Sequence, residues 1–268
     1  MDRIIMLGTG TASSIKFYNA CFALQYGDNY MLVDGGGGIG ILEQLNKANI
    51  SIRSIKNIFV THNHIDHISG IIWVIRQFAI EVLFYGYDGD INVYASDVTI
   101  DAIRTISLLT LNSKMSAYLD DKVHLNVVGN REAVNIYDEK FTFYDVYASK
   151  EKQYGFRVDT SNNKIIVCNG DEQLHKNNYD LVQNCDYLIH EAFCLDSEKE
   201  KKKPYEKGHV TAKDVCDLAK KLCVKNLILY HIKDEDVERR KIRYLEENKK
   251  YFDGILYIPN DLDIIEIK

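Results

Sequence analysis

The chain has 268 residues, 46% of them hydrophobic, and a formal net charge of −6. That length and apolar content can supply a sizeable buried core, and one domain over residues 1–268 is expected. The acidic balance gives no general attraction to nucleic acid, no stretch approaches a membrane span in length, and the start MDRIIMLGTG lacks the regions of a signal peptide, so a soluble, cytoplasmic protein is expected.

Two prolines and no low-complexity tract leave no linker that would cut the chain. The first strand is predicted at residues 3–7 and ends in GTGTASS. Another, at 30–33, ends in Asp34 and the glycine run Gly35 to Gly38, and a helix through 41–47 follows. A strand at 55–61 then delivers THNHIDH, Thr61 to His67. Beyond it Ile68, Ile71, Ile72, Ile75, Phe78, Ala79 and Val82 fall at the spacing of one helical face, which puts the motif on a strand-to-helix loop. Residues 81–125 read as ordinary strands and helices, including a helix over 98–111. Later strands are predicted at 164–168, ending in NGDE, at 187–189, ending in His190 and Glu191, and at 226–230, ending in His231. Thr211 and Asp214 form a capping-box start for a helix whose apolar stripe is Ala212, Val215, Cys216, Ala219 and Leu222. Every polar cluster with chemical potential thus follows an apolar strand.

Three of the eight histidines lie in THNHIDH with one aspartate. In an extended segment, side chains two apart point the same way, so His62 and His64 can reach one cation together. Asp66 and His67 diverge where the chain turns and can reach a second. Imidazole and carboxylate are the donors that zinc, iron or manganese accept. Two such ions about 3.5 to 4 Å apart activate a water and clamp the oxygens of a displacement, which suits hydrolysis of phosphodiesters or strained acyl bonds.

HNHIDH resembles the HxHxDH signature of the metallo-β-lactamase superfamily. Four further features fit in order: GTG after the first strand, Asp34 with its glycines, Asp171 in NGDE, and His231 after LILY. Within the superfamily the chain is similar to the ribonuclease Z (tRNA 3′-processing endonuclease) branch, because HEAF at His190 to Phe193 is similar to its HEAT element and GHVTA at Gly208 to Ala212 to its HST element. The resemblance implies an α/β, four-layer αββα sandwich, two β-sheets packed face to face with helices outside. It also implies His62 and His64 on a first metal, Asp66, His67 and His231 on a second, and Asp171 bridging. Glu191 and His209 match residues that assist proton transfer to the leaving group, a sensible pairing because a carboxylate holds a histidine's tautomer and raises its basicity. Zinc is the default ion, with manganese or iron as alternatives, and a homodimer is a further implication of the branch.

Two departures stand out. The third histidine of the family's first metal is missing: the matching stretch FYDVYASKEKQYGF, Phe143 to Phe156, has none, and the position falls near Tyr147 or Ala148. His175 and His124 are the remaining candidates, each with an ordinary structural reading beside it. The glycine-rich basic arm with which ribonuclease Z enzymes grip tRNA is also absent, so a small phosphodiester or nucleotide-like substrate ranks above tRNA. The expected mechanism is attack by metal-activated water, oriented by Asp66, with His209 supported by Glu191 protonating the leaving oxygen. A metallo-hydrolase of acyl, lactone or thioester substrates and a catalytically lapsed metal-binding protein of the same fold are the alternatives. The basic run KEKKK, Lys199 to Lys203, reads as a solvated loop, the six cysteines as small core residues, Trp73 as core, and GTGTASS and GGGG as tight turns.

Overall fold

Short runs of β-branched and aromatic residues become strands here because the inner strands of each sheet bury their side chains under helices or loops. The computed structural model describes residues 1–233 and 235–268. They form two units interleaved along the chain, the first built from Met1–Gly8, Tyr18–Val128 and Asn260–Lys268, the second from Thr9–Phe17 and Gly129–Pro259.

The first unit holds one seven-stranded mixed sheet. Its strands lie side by side in the order Ile264–Glu266, Arg3–Gly8, Cys21–Tyr26, Asn29–Val33, Ile55–Phe59, Ile91–Ala95 and Val123–Val127. The last four run parallel, with Val33 opposite Phe59 and Phe59 opposite Tyr94. Helices Gly40–Lys47, Ile65–Tyr85 and Asp97–Thr110 connect these strands, and Ile41, Ile71, Val74, Ile75, Phe78 and Ile103 pack with Leu32, Ile58 and Val93 into one buried cluster. Contrary to the expectation from sequence, helix Ile65–Tyr85 is long and apolar enough to cross a membrane. Ile71, Val74, Ile75 and Phe78 of this helix face the buried cluster, Ile65 and Phe84 are exposed, and Gly86 ends it in a left-handed cap. Trp73 packs against this core as expected but is only partly buried, with the Arg76 guanidinium over its ring, on the wall of a cavity of about 510 Å³.

The second unit repeats the plan. Its seven strands lie in the order Ile255–Tyr257, Asn226–Tyr230, Tyr187–Glu191, Ile165–Cys168, Tyr154–Asp159, Glu139–Asp145 and Glu132–Ile136. The first four of these are parallel, the rest antiparallel. Helix Ala212–Lys221 starts with the expected capping box, Thr211 Oγ1 accepting the Asp214 N–H at 3.3 Å and Asp214 accepting the Thr211 N–H at 3.0 Å. It lays Val215, Cys216 and Ala219 on a core that includes Leu188, Leu227 and Leu229. Five cysteines are buried, as expected; Cys223 is the exception, exposed in the turn after this helix. A fully buried arginine, Arg240, ties the segment 9–17 into the unit, donating to Thr9 Oγ1 at 2.9 Å and to the Pro259 carbonyl at 2.7 Å with its guanidinium over the Phe17 ring.

Parallel strands present all their carboxyl ends along one sheet edge. In the first unit that edge carries Asp34 and Thr61 to His67. In the second it carries Asn169 to Asp171, Glu191 and His231.

Candidate functional site

In the first unit the motif divides as its spacing predicts. Thr61 to His64 are extended, His64 is the N-cap of helix Ile65–Tyr85, and Asp66 and His67 lie in its first turn. His62, Asp66 and His67 are buried, whereas His64 is exposed. His62 Nε2 and His64 Nδ1 face each other at 2.9 Å. Two donors each about 2.1 Å from one ion and at right angles to it stand about 3 Å apart, so this pair has the separation of a chelate. Asp66 Oδ2 lies 3.5 Å from His67 Nε2.

Behind these donors is a residue to which the sequence reading gave no role of its own. Asp34, fully buried, accepts the Thr61 N–H and the Thr61 hydroxyl at 2.8 Å each, and its Oδ2 lies 2.8 Å from His67 Nδ1. A carboxylate only accepts, so His67 carries its hydrogen on Nδ1 and keeps the Nε2 lone pair. The Thr61 oxygen, having donated to Asp34, accepts from His62 Nδ1 at 2.9 Å, which leaves His62 Nε2 as a lone pair too. One buried carboxylate therefore sets two imidazole tautomers for cation binding. Burial raises the Asp34 pKa, and the contacts with His67 and Thr61 oppose that shift. Its signal was legible: an aspartate at a strand end just before glycines.

The glycines dock this turn on the helix. The Gly35 N–H donates to the His67 carbonyl at 2.8 Å and the Gly70 N–H to the Gly36 carbonyl at 3.0 Å; a Cβ on Gly70 would lie 1.8 Å from the Gly35 oxygen. Close backbone approach accounts for Gly35, whereas Gly36 and Gly38 turn the chain with left-handed φ of 63° and 77°.

In the second unit three neighbouring strand ends supply the polar groups. His231 Nε2 lies 3.0 Å from Asp171 Oδ2, again a separation that two ligands of one cation have, and both side chains are buried. Glu191, also fully buried, accepts from His209 Nδ1 at 2.9 Å and from the Val210 N–H at 3.2 Å. The Asp171 carbonyl is a second acceptor for His209 Nδ1, at 3.1 Å, so the hydrogen sits on Nδ1 and Nε2 is the atom left for exchange. Burial pulls the His209 pKa down, but the hydrogen bond and charge of Glu191 outweigh it and the net shift is upward. Glu191, His209 and His231 offer ligand atoms within 4.8 Å of one another, and the His209 ring stacks on Phe193 at 4.6 Å.

His190, beside Glu191, is structural. Its Nδ1 donates to the Glu191 carbonyl at 2.9 Å, its Nε2 accepts the Leu174 N–H at 3.2 Å, and burial lowers its pKa. His175 accepts the Asn177 N–H and packs on the Tyr147 ring, whose hydroxyl accepts from Asn130 at 3.2 Å. His124 lies 3.6 Å from Asp90. Among the described residues, neither His175 nor His124 belongs to a compact group of potential metal donors. The imidazoles and carboxylates collected on the two sheet edges are the donor set that a divalent metal takes.

The chain is similar to known proteins over nearly its whole length. Ribonuclease Z of Archaeoglobus fulgidus is 26% identical, with 99% of this chain and 97% of that protein covered. The metallo-β-lactamase-fold protein YhfI from Bacillus subtilis superposes with a TM-score of 0.81 at 18% identity, covering 99% of both chains. The short form of human tRNase Z gives a TM-score of 0.76 at 22% identity, covering 100% of both. The fold is accordingly the metallo-β-lactamase fold, the α/β class that the motif order implied. The model of a more specific family, described as anti-Pycsar protein Apyc1, matches residues 2–251, and the chain, with HNHIDH, Asp171 and His231 inside that span, belongs to this Apyc1 family.

Proposed function

We propose that the protein is a metal-dependent phosphodiesterase that hydrolyses a small, nucleotide-like phosphodiester. The observation that carries this reading is the buried Glu191 bonded to His209, since a carboxylate and imidazole so arranged serve a proton transfer that a binding scaffold does not require. The proposed ligands are His62, His64, Asp66 and His67 from one sheet edge and Asp171 and His231 from the other, with zinc as the expected ion and manganese or iron as alternatives. A divalent ion of this kind, when bound, acidifies a water and draws charge from phosphate oxygens.

The chain's own groups supply the rest. Asp34 and Thr61 keep the His62 and His67 lone pairs on Nε2, so no tautomer change is needed on binding. Asp66 accepts a hydrogen from the attacking water and aims it. Glu191 holds the imidazolium form of His209, whose Nε2–H protonates the leaving oxygen.

A small substrate fits better than tRNA. Residues 81–125 form helices and strands, with no glycine-rich protrusion among the described residues, and the chain is acidic. The match to the Archaeoglobus protein runs over 309 aligned positions although the chain has 268 residues, so that ribonuclease Z carries segments with no counterpart here.

The test compares leaving groups. His209→Ala is expected to cost about 10²- to 10⁴-fold in kcat on an unactivated dinucleoside monophosphate and far less on bis(p-nitrophenyl) phosphate, whose leaving phenolate needs no proton. Equal losses on both, or none, would remove His209 from the mechanism. Faster turnover of p-nitrophenyl acetate or a lactone than of either phosphodiester would favour the acyl reading. No turnover after reconstitution with zinc, manganese and iron would favour a lapsed enzyme.

A further inference from the structure

Strand Asn226–Tyr230 ends at His231, and the chain leaves it there in the left-handed region, with φ 52°. A residue with a β-carbon takes that conformation at a cost, and it persists where the surroundings fix the backbone on both sides. On one side is the sheet, with Tyr230 opposite Glu191. On the other is the segment 9–17: the Ile232 N–H donates to the Thr9 carbonyl at 2.9 Å, and Gly10 pairs with Ile232 in an isolated parallel bridge. The peptide that follows His231 is therefore bonded to Thr9.

Thr9 is held in turn by Arg240, which at 1% exposure is the largest fully buried side chain among the described residues. Its Nη2 donates to Thr9 Oγ1 at 2.9 Å and to the Pro259 carbonyl at 2.7 Å, and its guanidinium carbon lies 3.6 Å from the centroid of the Phe17 ring. Both ends of the segment, Thr9 and Phe17, thus meet one planar group. An apolar side chain of similar volume would fill the same space without the cost of desolvating a charge. A guanidinium adds what an apolar chain lacks, donors in a fixed plane together with a flat face for an aromatic ring.

We propose that Arg240 is a positioning residue for His231. By holding Thr9 it maintains the bond to Ile232, and with it the left-handed turn that leaves His231 Nε2 3.0 Å from Asp171 Oδ2. Without the clamp the turn is free to relax toward the right-handed region, and the imidazole departs from the separation that two ligands of one cation need. The inference rests on the reading of His231 as a metal ligand and extends its support to the start of helix Arg240–Asn248. Asp34 sets a tautomer on the first edge; Arg240 sets a backbone conformation on the second.

The experiment measures the zinc affinity of the full-length protein by chelator competition. His231→Ala identifies the site that this ligand serves and gives the full loss. Arg240→Met, which keeps the length and removes the donors, is expected to weaken the same site about 10- to 100-fold. Arg240→Lys should do so by a similar factor, because an ammonium has no plane with which to stack on Phe17 and donate at once. Thr9→Val, with Arg240 intact, should weaken the site about 3- to 10-fold, and Thr9→Ser should keep the parent affinity. In the His231→Ala background, Arg240→Met should have no further effect. Parent affinity in Arg240→Met overturns the proposal, and so does an equal loss in both backgrounds, which would make Arg240 a support of the fold at large. Should Arg240→Met fail to fold, Thr9→Val and Thr9→Ser decide, and equal affinities in these two overturn the proposal. Parent affinity in His231→Ala overturns the ligand reading itself, and the proposal with it.

Discussion

The two sheet edges assemble their polar groups in opposite ways. On the first, four candidate ligands come from six consecutive residues, His62 to His67, and one further segment, at Asp34, orients them. On the second, Asp171, Glu191, His209 and His231 are spread over sixty residues and meet because three adjacent parallel strands are in register, with Cys168 opposite Ile189 and Glu191 opposite Tyr230. A local cluster can be written into a loop, whereas a dispersed one inherits every requirement of the sheet beneath it. The proposed proton transfer belongs to the dispersed edge, where the buried Glu191 is bonded to His209.

The sharpest way to break that division of labour is to alter Glu191 and His209. On an unactivated phosphodiester, Glu191→Gln is expected to lower kcat by about 10²-fold or more, because an amide no longer stabilises the imidazolium, and His209→Ala by at least as much. The double variant should be no worse than His209→Ala alone. Additive losses in single-turnover kinetics would mean that the two residues act separately.

On the local edge the corresponding test is Asp34→Asn. An amide keeps one acceptor but presents an N–H where Thr61 or His67 now donates, so the tautomers of His62 and His67 lose their common reference. Metal affinity, read by chelator competition, is expected to fall about 10- to 100-fold. Unchanged affinity would show that His67 is oriented by its helix alone.

Much of this was legible in the sequence, for reasons that differ between the edges. HNHIDH declared itself because alternation in an extended segment is visible at once, and the helix after it followed from the apolar spacing of Ile68 to Val82. The strand ending in Glu191 was read two residues short, since His190 and Glu191 are polar, yet both pair within the sheet and are buried. Polarity marks loops only where no partner awaits the side chain. The role of Asp34 lay beyond sequence alone because it depends on the 2.8 Å contacts that parallel pairing of residues 29–33 with 55–59 creates. Cys223 failed for a simpler reason: apolar character does not say which turn a residue lies on.

The second sheet should also be sensitive to acid, at the end of its strands opposite the polar edge. Asp186 sits at the foot of strand Tyr187–Glu191, where it accepts the Ile165 N–H at 2.8 Å and the Lys225 ammonium at 2.9 Å. Burial acts to raise its pKa, but Lys225 and the Ile165 N–H prevail and hold it below the usual carboxylate range. A carboxyl depressed in the folded state contributes stability that is present above its unfolded pKa, near 4, and is lost as pH falls through the lower folded value. Asp186→Asn is therefore expected to cost about 1–2 kcal/mol at neutral pH and to flatten the loss of stability below about pH 4. Urea unfolding at pH 7 and pH 3 measures both, and an equal cost at the two values would contradict the assignment.

The smallest expected effects compare how the two edges start their helices. Thr211 caps its helix with a reciprocal box, and Thr211→Ala should cost about 1 kcal/mol, or about 2 °C in Tm for a chain of this size. His64 occupies the same N-cap position at helix Ile65–Tyr85 but makes no side-chain capping bond, its ring being turned toward His62 instead. On the proposed assignment of His64 as a ligand, a histidine there forgoes helix stability so that Nδ1 can face the ion. His64→Ser restores a cap and is expected to stabilise the metal-free protein by a few tenths to 1 kcal/mol while weakening metal binding. Thermal unfolding with and without the ion separates the two effects. If the serine variant were less stable than the parent in the metal-free state, the unused cap would be a requirement of packing rather than a concession to chemistry.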